Sequence, residues 1–179
     1  ELLRGMRIGI SQPRSSTRKR GAARQEDGGV MQAILEFQGE YRWLSNFWEC
    51  EEPIEVGKTK FSTVENAYQY AKAVMIGDEK SIEKLRTAAT PWIAKRLSHM
   101  IIGDRSVFEK QKVSVMRGLL VQKFRKGLPL SEKLIATGDA ELVEGNYWQD
   151  RFWGCSPVGS RRGENQLGKI LMNIRESLK

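Results

Sequence analysis

Two stretches near the C-terminal end of the chain decide its fold: DRFWG, residues 150–154, and GENQLGKILM, residues 163–172. In the second stretch, apolar residues begin a repeat of helical spacing that continues almost to the last residue. This spacing predicts an amphipathic helix that begins near Gln166, with Asn165 as its N-cap. The apolar stripe of the helix consists of Leu167, Ile170, Leu171, Ile174 and Leu178.

An anionic ligand that carries a ring fits the loop before this helix. The loop contains an acid and an aromatic residue, Asp150 and Trp153, and it ends close to Arg161 and Arg162. The first turn of the helix is expected to present free backbone N–H groups and the positive end of the helix dipole. Phosphate binds readily at such a place. An ordinary capped helix beside a solvated basic loop explains the same residues equally well.

A second informative stretch is FSTVENAYQYAK, residues 61–72. Ser62 and Glu65 have the spacing of a capping box, which predicts a helix with an apolar stripe on one face. On the other face Glu65, Gln69 and Lys72 stand at i, i+4 and i+7, roughly above one another. A carboxylate, an amide and an ammonium in one column form a candidate active site. The alternative is that Glu65 only completes the cap and that Lys72 is only solvated.

The rest of the chain is predicted to be mostly helical. Thr90 caps a helix that has Pro91 at its first position, and Ser106 and Glu109 have the spacing of a second capping box. The predicted elements are a strand at Ala33–Phe37, a hairpin at Ile54–Phe61 around Gly57–Lys58, helices from Pro91 to Leu97, Ser106 to Arg125 and Ser131 to Thr137, and an extended piece at Glu141–Glu144. We therefore predict a mainly helical α+β fold, a single compact domain with a small β-sheet or hairpin.

Composition limits the chemistry that the protein performs. A chain of 179 residues is expected to form one domain. It has neither an apolar run long enough to cross a membrane nor a signal-peptide hydrophobic segment. Cys50 and Cys155 match no zinc spacing and no disulfide framework, which predicts a reducing, cytoplasmic setting. Because His99 is the single histidine, a Ser–His–Asp site or a multi-histidine metal site is disfavoured. We expect no metal and no cofactor.

The charge of the chain favours anionic partners. The net charge is +8, with 30 Lys and Arg against 22 Asp and Glu, which suits small phosphates or nucleic acid. Residues 1–30 contain the basic run Arg14–Arg20 and few large apolar residues, so we expect a disordered basic extension followed by one domain over residues 31–179. Nucleic acid is not favoured as a partner, because no helix-turn-helix, zinc-finger or aromatic RNA-binding signature is present.

Taken in order, these motifs resemble the YbiA-like N-glycosidases, also called the NADAR family, over about residues 35–178. Each motif is weak alone, but the ordered series is specific. Two positions depart from the family pattern: Asn66 stands where histidine is common, and Phe108 stands where some members carry tryptophan. The matching motifs are Leu44–Phe47, Val64–Lys72, Ala89–Pro91, Met116–Phe124, Leu134–Asp139, Leu142–Glu144, Phe152–Gly154 and Gly163–Met172.

The resemblance implies hydrolysis of a bond between ribose C1′ and nitrogen. In the best-known members the substrates are ribosylaminopyrimidine phosphates, early intermediates of riboflavin synthesis, and relatives remove ADP-ribose from modified guanine. Positive charge develops on the sugar in both reactions, so a carboxylate near it stabilises that charge or activates water. We expect Glu65 in this role and Asp150 as the second carboxylate. Lys72 either holds Glu65 ionised or attacks C1′ as an amine after ring opening.

The resemblance also implies a substrate-binding set. Trp153 is expected to stack on the base, and Arg161, Arg162 and the helix start at Asn165 are expected to hold phosphate. Lys123 lies within an apolar stripe; it either snorkels to solvent or delivers its charge into a pocket, and the family pattern favours the pocket. The full set is Asn46, Phe47, Gln69, Lys123, Trp153, Gly154, Arg161, Arg162 and Asn165.

Two further classes of protein remain open from the sequence. A module that binds NAD or ADP-ribose without turnover would use the same basic and aromatic cleft, and a turnover assay separates it from an enzyme. A nucleic-acid-binding protein would draw on the positive charge, and its binding would fall steeply with salt. The expected partner is a small phosphorylated N-riboside or an ADP-ribosyl compound. The sequence does not indicate an oligomeric state.

Overall fold

The computed structural model describes residues 33–179. The predicted basic extension, residues 1–30, and the predicted start of the domain at residue 31 lie outside the described residues. The elements are β1 (Ala33–Ile34), a 3-10 helix (Gly39–Leu44), β2 (Glu49–Val56), β3 (Thr59–Thr63), α1 (Val64–Ile76), α2 (Glu79–Arg86), α3 (Pro91–Ser98), α4 (Ser106–Lys123), α5 (Pro129–Ala136), β4 (Glu141–Leu142) and α6 (Gln166–Leu178). The predicted mainly helical α+β fold is confirmed.

Helix α1 is the centre of the packing. It contacts α4 along one side and the helices α2 and α3 along another. The antiparallel hairpin of β2 and β3 packs against α1 and α4, and α6 contacts α4, α5 and β4. The largest buried side chains of this core are Phe37, Leu44, Ile54, Phe108, Leu120, Phe124 and Leu142. A second, smaller apolar cluster joins α1 to α2 and α3 through Ala73, Leu85, Ala94 and Ile101.

The hairpin strands are longer than predicted, whereas the two outer strands, β1 and β4, are shorter. The hairpin turns at Gly57 and Lys58 as predicted, and its strands extend to Glu49 and Thr63. The predicted strand from Ala33 to Phe37 contracts to two residues, because only Ala33 and Ile34 find partners, on the parallel strand β4. Within residues 33–179 no helix is both long and apolar enough to cross a bilayer.

The two predicted capping boxes, Ser62 with Glu65 and Ser106 with Glu109, do not form, although the helices predicted from them are present. Strand pairing continues through Thr63, so Thr63 rather than Ser62 is the N-cap of α1. Its hydroxyl oxygen accepts the Asn66 backbone N–H at 3.1 Å and donates to the Asn66 side-chain oxygen at 2.7 Å. The side chain that contacts the cap residue is therefore that of Asn66, which leaves the Glu65 carboxylate available for other contacts.

The long helix α4 begins at the predicted residue but without a capping box. Asp104, two residues before it, accepts hydrogen bonds from the backbone N–H and the hydroxyl of Ser106. Glu109 instead pairs with Lys112 on the helix surface. The helix ends at Lys123, two residues before the predicted end. The Thr90 cap with Pro91 at the first position of α3 is confirmed.

Candidate active site

A cleft of about 560 Å³ opens where α1, α3 and α4 meet the loop before α6. Glu65 and Tyr68 of α1, Lys95 of α3 and Trp153 of the loop lie in its wall. A smaller cavity of about 170 Å³ adjoins it and shares Tyr68, Lys95 and Trp153. Of the predicted site residues, the larger cleft gathers Asn46, Phe47, Glu65, Asp150 and Trp153, and the smaller cavity gathers Gln69, Lys72 and Trp153.

Glu65 lies in the cleft wall and is only 4% exposed. The Gln69 side-chain amide donates to Glu65 Oε1 at 2.8 Å, as the predicted column of side chains requires. The Lys95 ammonium lies 3.6 Å from the same oxygen. The backbone N–H of Glu65 donates to the Asn46 carbonyl, which ties the start of α1 to the loop that carries Asn46 and Phe47. A buried carboxylate is thus held between an amide and a cation.

Lys95 is a site residue that the sequence did not reveal. It lies on α3, about thirty positions from Glu65 in the chain, and it lines both cavities. The predicted cation of the column, Lys72, lies in the smaller cavity instead, with its ammonium 5.7 Å from the Phe108 ring centre. Burial lowers the pKa of Lys72, and the nearby Arg105 charge lowers it further. The Lys72 amine is therefore neutral in a larger fraction of molecules than an ordinary lysine is.

Asp150 shapes the loop that presents Trp153. Its Oδ1 accepts the backbone N–H groups of Phe152 at 3.1 Å and Trp153 at 2.9 Å. The Asn146 side chain fixes the backbone of Asp150 from both sides, with its amide donating to the Asp150 carbonyl and its oxygen accepting the Asp150 N–H. The Trp153 ring meets Tyr68 edge-on at 5.7 Å. The rings of Trp153 and Tyr68 therefore form one face of the cleft, and the hydrogen bonds of Asp150 hold the Trp153 backbone in place.

The mouth of the cleft carries aromatic side chains that the sequence did not single out. Trp92, Tyr147 and Trp148 are 71%, 74% and 65% exposed and all line the cleft. The predicted site residue Phe47 packs against Trp92, with ring centres 4.7 Å apart. Asn46 donates to the Met116 sulfur, and its side-chain oxygen is buried without a partner among the described residues. These groups can contact flat rings and a polar edge of a ligand.

Glu144 carries a second carboxyl group in the cleft; the residue is half-buried, and the sequence did not propose it as a site residue. Burial raises its pKa to about 8; the Asp150 charge raises it as well, and the Lys123 charge opposes them. Its Oε2 is buried and has no hydrogen-bond partner within residues 33–179. The Leu142–Glu144 motif was the available signal, but nothing in its spacing showed which way the carboxyl group points.

Two predicted substrate-binding residues hold Glu144 in place. Asn165 accepts the Glu144 backbone N–H at 3.0 Å and donates to the Leu142 carbonyl at 2.8 Å. The backbone N–H of Cys155 donates to the Glu144 carbonyl, and a Cβ on Gly154 would overlap that carbonyl. The close approach of the two backbones therefore requires glycine at position 154. Asn165 occupies the N-cap position as predicted, but its side chain makes no cap hydrogen bond.

The predicted free helix start is wrong. The backbone N–H groups of Gln166 and Leu167 donate to the carbonyls of Phe152 and Trp153, so the loop itself occupies the first turn of α6. Arg161 pairs with Glu141 at 2.7 Å. Neither Arg161 nor Arg162 lines the large cleft, whose basic side chains are Arg42 and Lys95. The assignment of Arg161, Arg162 and Asn165 to a substrate phosphate stays a prediction.

Lys123 neither snorkels to solvent nor enters the cleft. Its side chain is 1% exposed, and its ammonium donates to the Ser45 carbonyl at 2.7 Å. Burial lowers the pKa of Lys123 to about 8. This hydrogen bond anchors the Ser45 backbone, directly before the two cleft residues Asn46 and Phe47. Lys123 therefore helps to position these two residues without lining the cleft itself.

Residues 35–179 match the NADAR domain. The chain belongs to the NADAR family. An N-glycosidase of Nostoc punctiforme is 36% identical over 140 residues, which are 78% of this chain and 86% of that protein. The N-glycosidase YbiA of Escherichia coli is 36% identical over 146 residues and is covered to 82%. A riboflavin biosynthesis protein of Vibrio vulnificus is 37% identical over 137 residues, which are only 35% of its length.

A solved NADAR structure supports the same conclusion. The NMR structure of the E. coli protein YbiA superposes with a TM-score of 0.67 at 35% identity, over 86% of this chain and 90% of that one. The resemblance predicted from the sequence is thereby confirmed, and with it the predicted enzyme class, a hydrolase that acts on N-glycosyl compounds.

Proposed function

We propose that the protein hydrolyses the N-glycosidic bond of phosphorylated N-ribosides, with ribosylaminopyrimidine phosphates of the riboflavin pathway as substrates, and releases the base and ribose 5-phosphate. The observation that carries the proposal is the buried carboxylate of Glu65 in a cleft with aromatic walls. The Vibrio vulnificus relative, named a riboflavin biosynthesis protein, supports this choice of substrate.

The arrangement suits a reaction in which the sugar becomes positively charged. The Glu65 carboxylate stabilises that charge or accepts a proton from the attacking water. Gln69 and Lys95 hold the carboxylate in one orientation through Oε1, so little reorganisation accompanies the reaction. The Trp153 ring, which Asp150 holds against Tyr68, stacks on the base.

Lys72 offers a covalent variant of the same reaction. A neutral amine can add to C1′ of the ring-opened riboside, where C1′ is double-bonded to the base nitrogen. A proton of the amine passes to that nitrogen, the bond from C1′ to the base breaks, and a Schiff base between C1′ and the lysine remains. Water then hydrolyses the Schiff base and frees the sugar and the amine. The lowered pKa of Lys72 supports this role, and its place in the smaller cavity puts it beside Gln69 and Trp153. Borohydride added during turnover would reduce the Schiff base to a stable adduct, which peptide mass spectrometry would locate at Lys72. No adduct under turnover leaves direct attack by water.

The phosphate of the substrate requires a cation in the cleft. Arg42 is exposed at the cleft, whereas Lys95 is already paired with Glu65. A guanidinium also matches the geometry of a phosphate better than an ammonium does. We therefore place the phosphate at Arg42, in competition with the earlier expectation at Arg161 and Arg162.

A larger substrate is the second candidate. The aromatic rim of Trp92, Tyr147 and Trp148 lies at the mouth of a cleft of about 560 Å³, a volume within the range of pockets that hold drug-sized ligands. A second ring system, as in an ADP-ribosyl group on guanine, fits such a rim by stacking. A module that binds ADP-ribose without turnover would use the same contacts but would release no base.

The deciding experiment incubates the protein with ribosylaminopyrimidine phosphates and with ADP-ribosylated guanine nucleotides, and identifies the released base by mass spectrometry. Release of the aminopyrimidine, lost in the Glu65→Gln variant, supports the main proposal. Release of ADP-ribose and the unmodified guanine nucleotide, with no cleavage of the ribosylaminopyrimidine phosphate, supports the second candidate. Binding of both compounds with no base released would overturn the catalytic role of Glu65.

A further inference from the structure

We infer that Glu144 is the acid that protonates the departing nitrogen of the base. This inference rests on the N-glycosidase function proposed above and adds a second carboxyl group with the opposite task to that of Glu65. A nitrogen base is a poor leaving group as an anion, so the reaction needs a proton donor on the side of the base.

The position of Glu144 suits a proton donor. The residue lines the same cleft as Glu65 and the base-stacking Trp153. Its Oε2 is buried and lacks a hydrogen-bond partner in the described part of the chain. A buried oxygen without a partner is costly, and more so when it is charged, so this oxygen favours the neutral, protonated carboxyl group of a residue that is itself only half-buried in the cleft wall.

Two hydrogen bonds hold the backbone of Glu144. Asn165 accepts its N–H, and the Cys155 N–H donates to its carbonyl. The absence of a side chain at Gly154 permits this second contact. Catalytic groups need such support, because small displacements from the productive geometry cost rate.

The charges around Glu144 favour its protonated form. Burial raises its pKa to about 8, Asp150 acts in the same direction, and Lys123 acts against it. The other charged side chains of the cleft are Glu36, Arg42, Glu65 and Lys95. Near pH 7 the Glu144 carboxyl group is mostly protonated and can donate.

The surroundings of Glu65 differ from those of Glu144, since Glu65 Oε1 accepts a hydrogen bond from Gln69 and faces the Lys95 ammonium. Two carboxyl groups in contrasting environments are the usual arrangement for acid and base in one site.

The step balances without any further reactant. The C1′–N bond breaks, its electron pair passes to nitrogen, and nitrogen takes the carboxyl proton of Glu144. Water adds its oxygen to C1′; one of its protons stays on the new hydroxyl group and the other passes to Glu65. Glu65 returns that proton through solvent to Glu144. The net change is the hydrolysis of one C–N bond.

The test compares two leaving groups in the Glu144→Gln variant. For the N-riboside phosphate, loss of the acid should lower kcat by about 10²-fold or more. For 4-nitrophenyl riboside 5-phosphate, whose phenolate departs without a proton, kcat should stay close to that of the wild type. Glu55→Gln is the matched control: Glu55 pairs with Lys60 on the exposed hairpin, outside both cavities, and this variant should leave both rates unchanged.

The pH dependence provides a second, independent readout. Wild-type turnover of the N-riboside should fall above a pH of about 8, where Glu144 loses its proton, and turnover of the nitrophenyl compound should show no such fall. This comparison needs only the wild-type protein, so it decides the matter even if Glu144→Gln does not fold. Equal losses of kcat on both substrates, or an alkaline fall shared by both, would overturn the role of Glu144 but would leave the proposed function in place. If the wild type cleaved neither compound, the proposed function and this inference would be overturned together.

Discussion

Replacement of Glu65 by glutamine is the sharpest test of the proposed carboxylate, because it removes a charge and almost no volume. Glutamine keeps Oε1 as an acceptor for the Gln69 amide, which now lies at 2.8 Å from that oxygen. What disappears is the ion pair with Lys95, at 3.6 Å, and the negative charge that faces the sugar. We expect kcat to fall by about 10²–10⁴-fold, the usual range for loss of a general base.

The same contacts predict a small loss of stability. The Lys95 side chain is 48% exposed, and partly solvated pairs of this kind contribute about 0.2–1 kcal/mol. In a domain of this size, 1 kcal/mol corresponds to about 2–4 °C in Tm. Thermal unfolding should therefore show a decrease of only a few degrees, with the loss of rate far larger than any loss of folded protein could explain.

The matched control is Glu83→Gln, which makes the same chemical change at a surface pair with Arg86, outside both cavities of the site. This variant should keep the wild-type rate. Steady-state assays at saturating substrate measure kcat, and circular dichroism follows unfolding. If Glu65→Gln retained the rate of Glu83→Gln, the carboxylate would have no part in the chemistry.

Three further outcomes follow from the structure and the sequence. Arg42→Ala should weaken binding of the phosphorylated substrate by roughly tenfold or more relative to its dephosphorylated form, as expected for loss of a charge-assisted hydrogen bond; a selective loss from alanine at Arg161–Arg162 instead would return the phosphate to the loop. Asp150→Asn keeps Oδ1 as the acceptor for the loop but removes a charge that raises the pKa of Glu144, so the alkaline fall in rate should move to lower pH, and an unchanged profile would contradict the coupling. Deletion of residues 1–30 should leave Tm and rate nearly unchanged, because the segment has no apolar pattern to pack; a large loss of either would assign it to the domain.

Local patterns predicted the helices well and their caps less well. The stripe and the polar column of α1 follow directly from residue spacing, and the amide-to-carboxylate contact of Gln69 and Glu65 is the outcome. The cap moved by one residue because the pairing of Thr63 with Glu49 prolongs β3. That pairing joins residues far apart in the chain, and no local pattern reports it. The fold class, which depends mainly on periodicity, needed no such information.

The site was harder to predict for the same reason. The Lys95 partner of Glu65 comes from a different helix, and Glu144 becomes a cleft residue only when α6 and the loop before it fold back over β4. Conversely, the basic loop was predicted to bind phosphate because its arginines come directly before the start of a helix. The prediction needed a free Gln166 N–H, but this group donates to the Phe152 carbonyl. Spacing identified which residues are special but not which of them face the same space.

The clamp between Asn165 and the segment from Leu142 to Glu144 has a consequence for the order in which the site is assembled. Glu65 is in place once the hairpin, α1 and α3 have packed, but Glu144 takes its position only when the residues at the start of α6 bond to its backbone. A nascent or proteolysed chain that ends before Asn165 would thus carry the Glu65 half of the cleft without the Glu144 half. Competence for the complete reaction then arises only after α6 has been synthesised and its first residues have docked against β4.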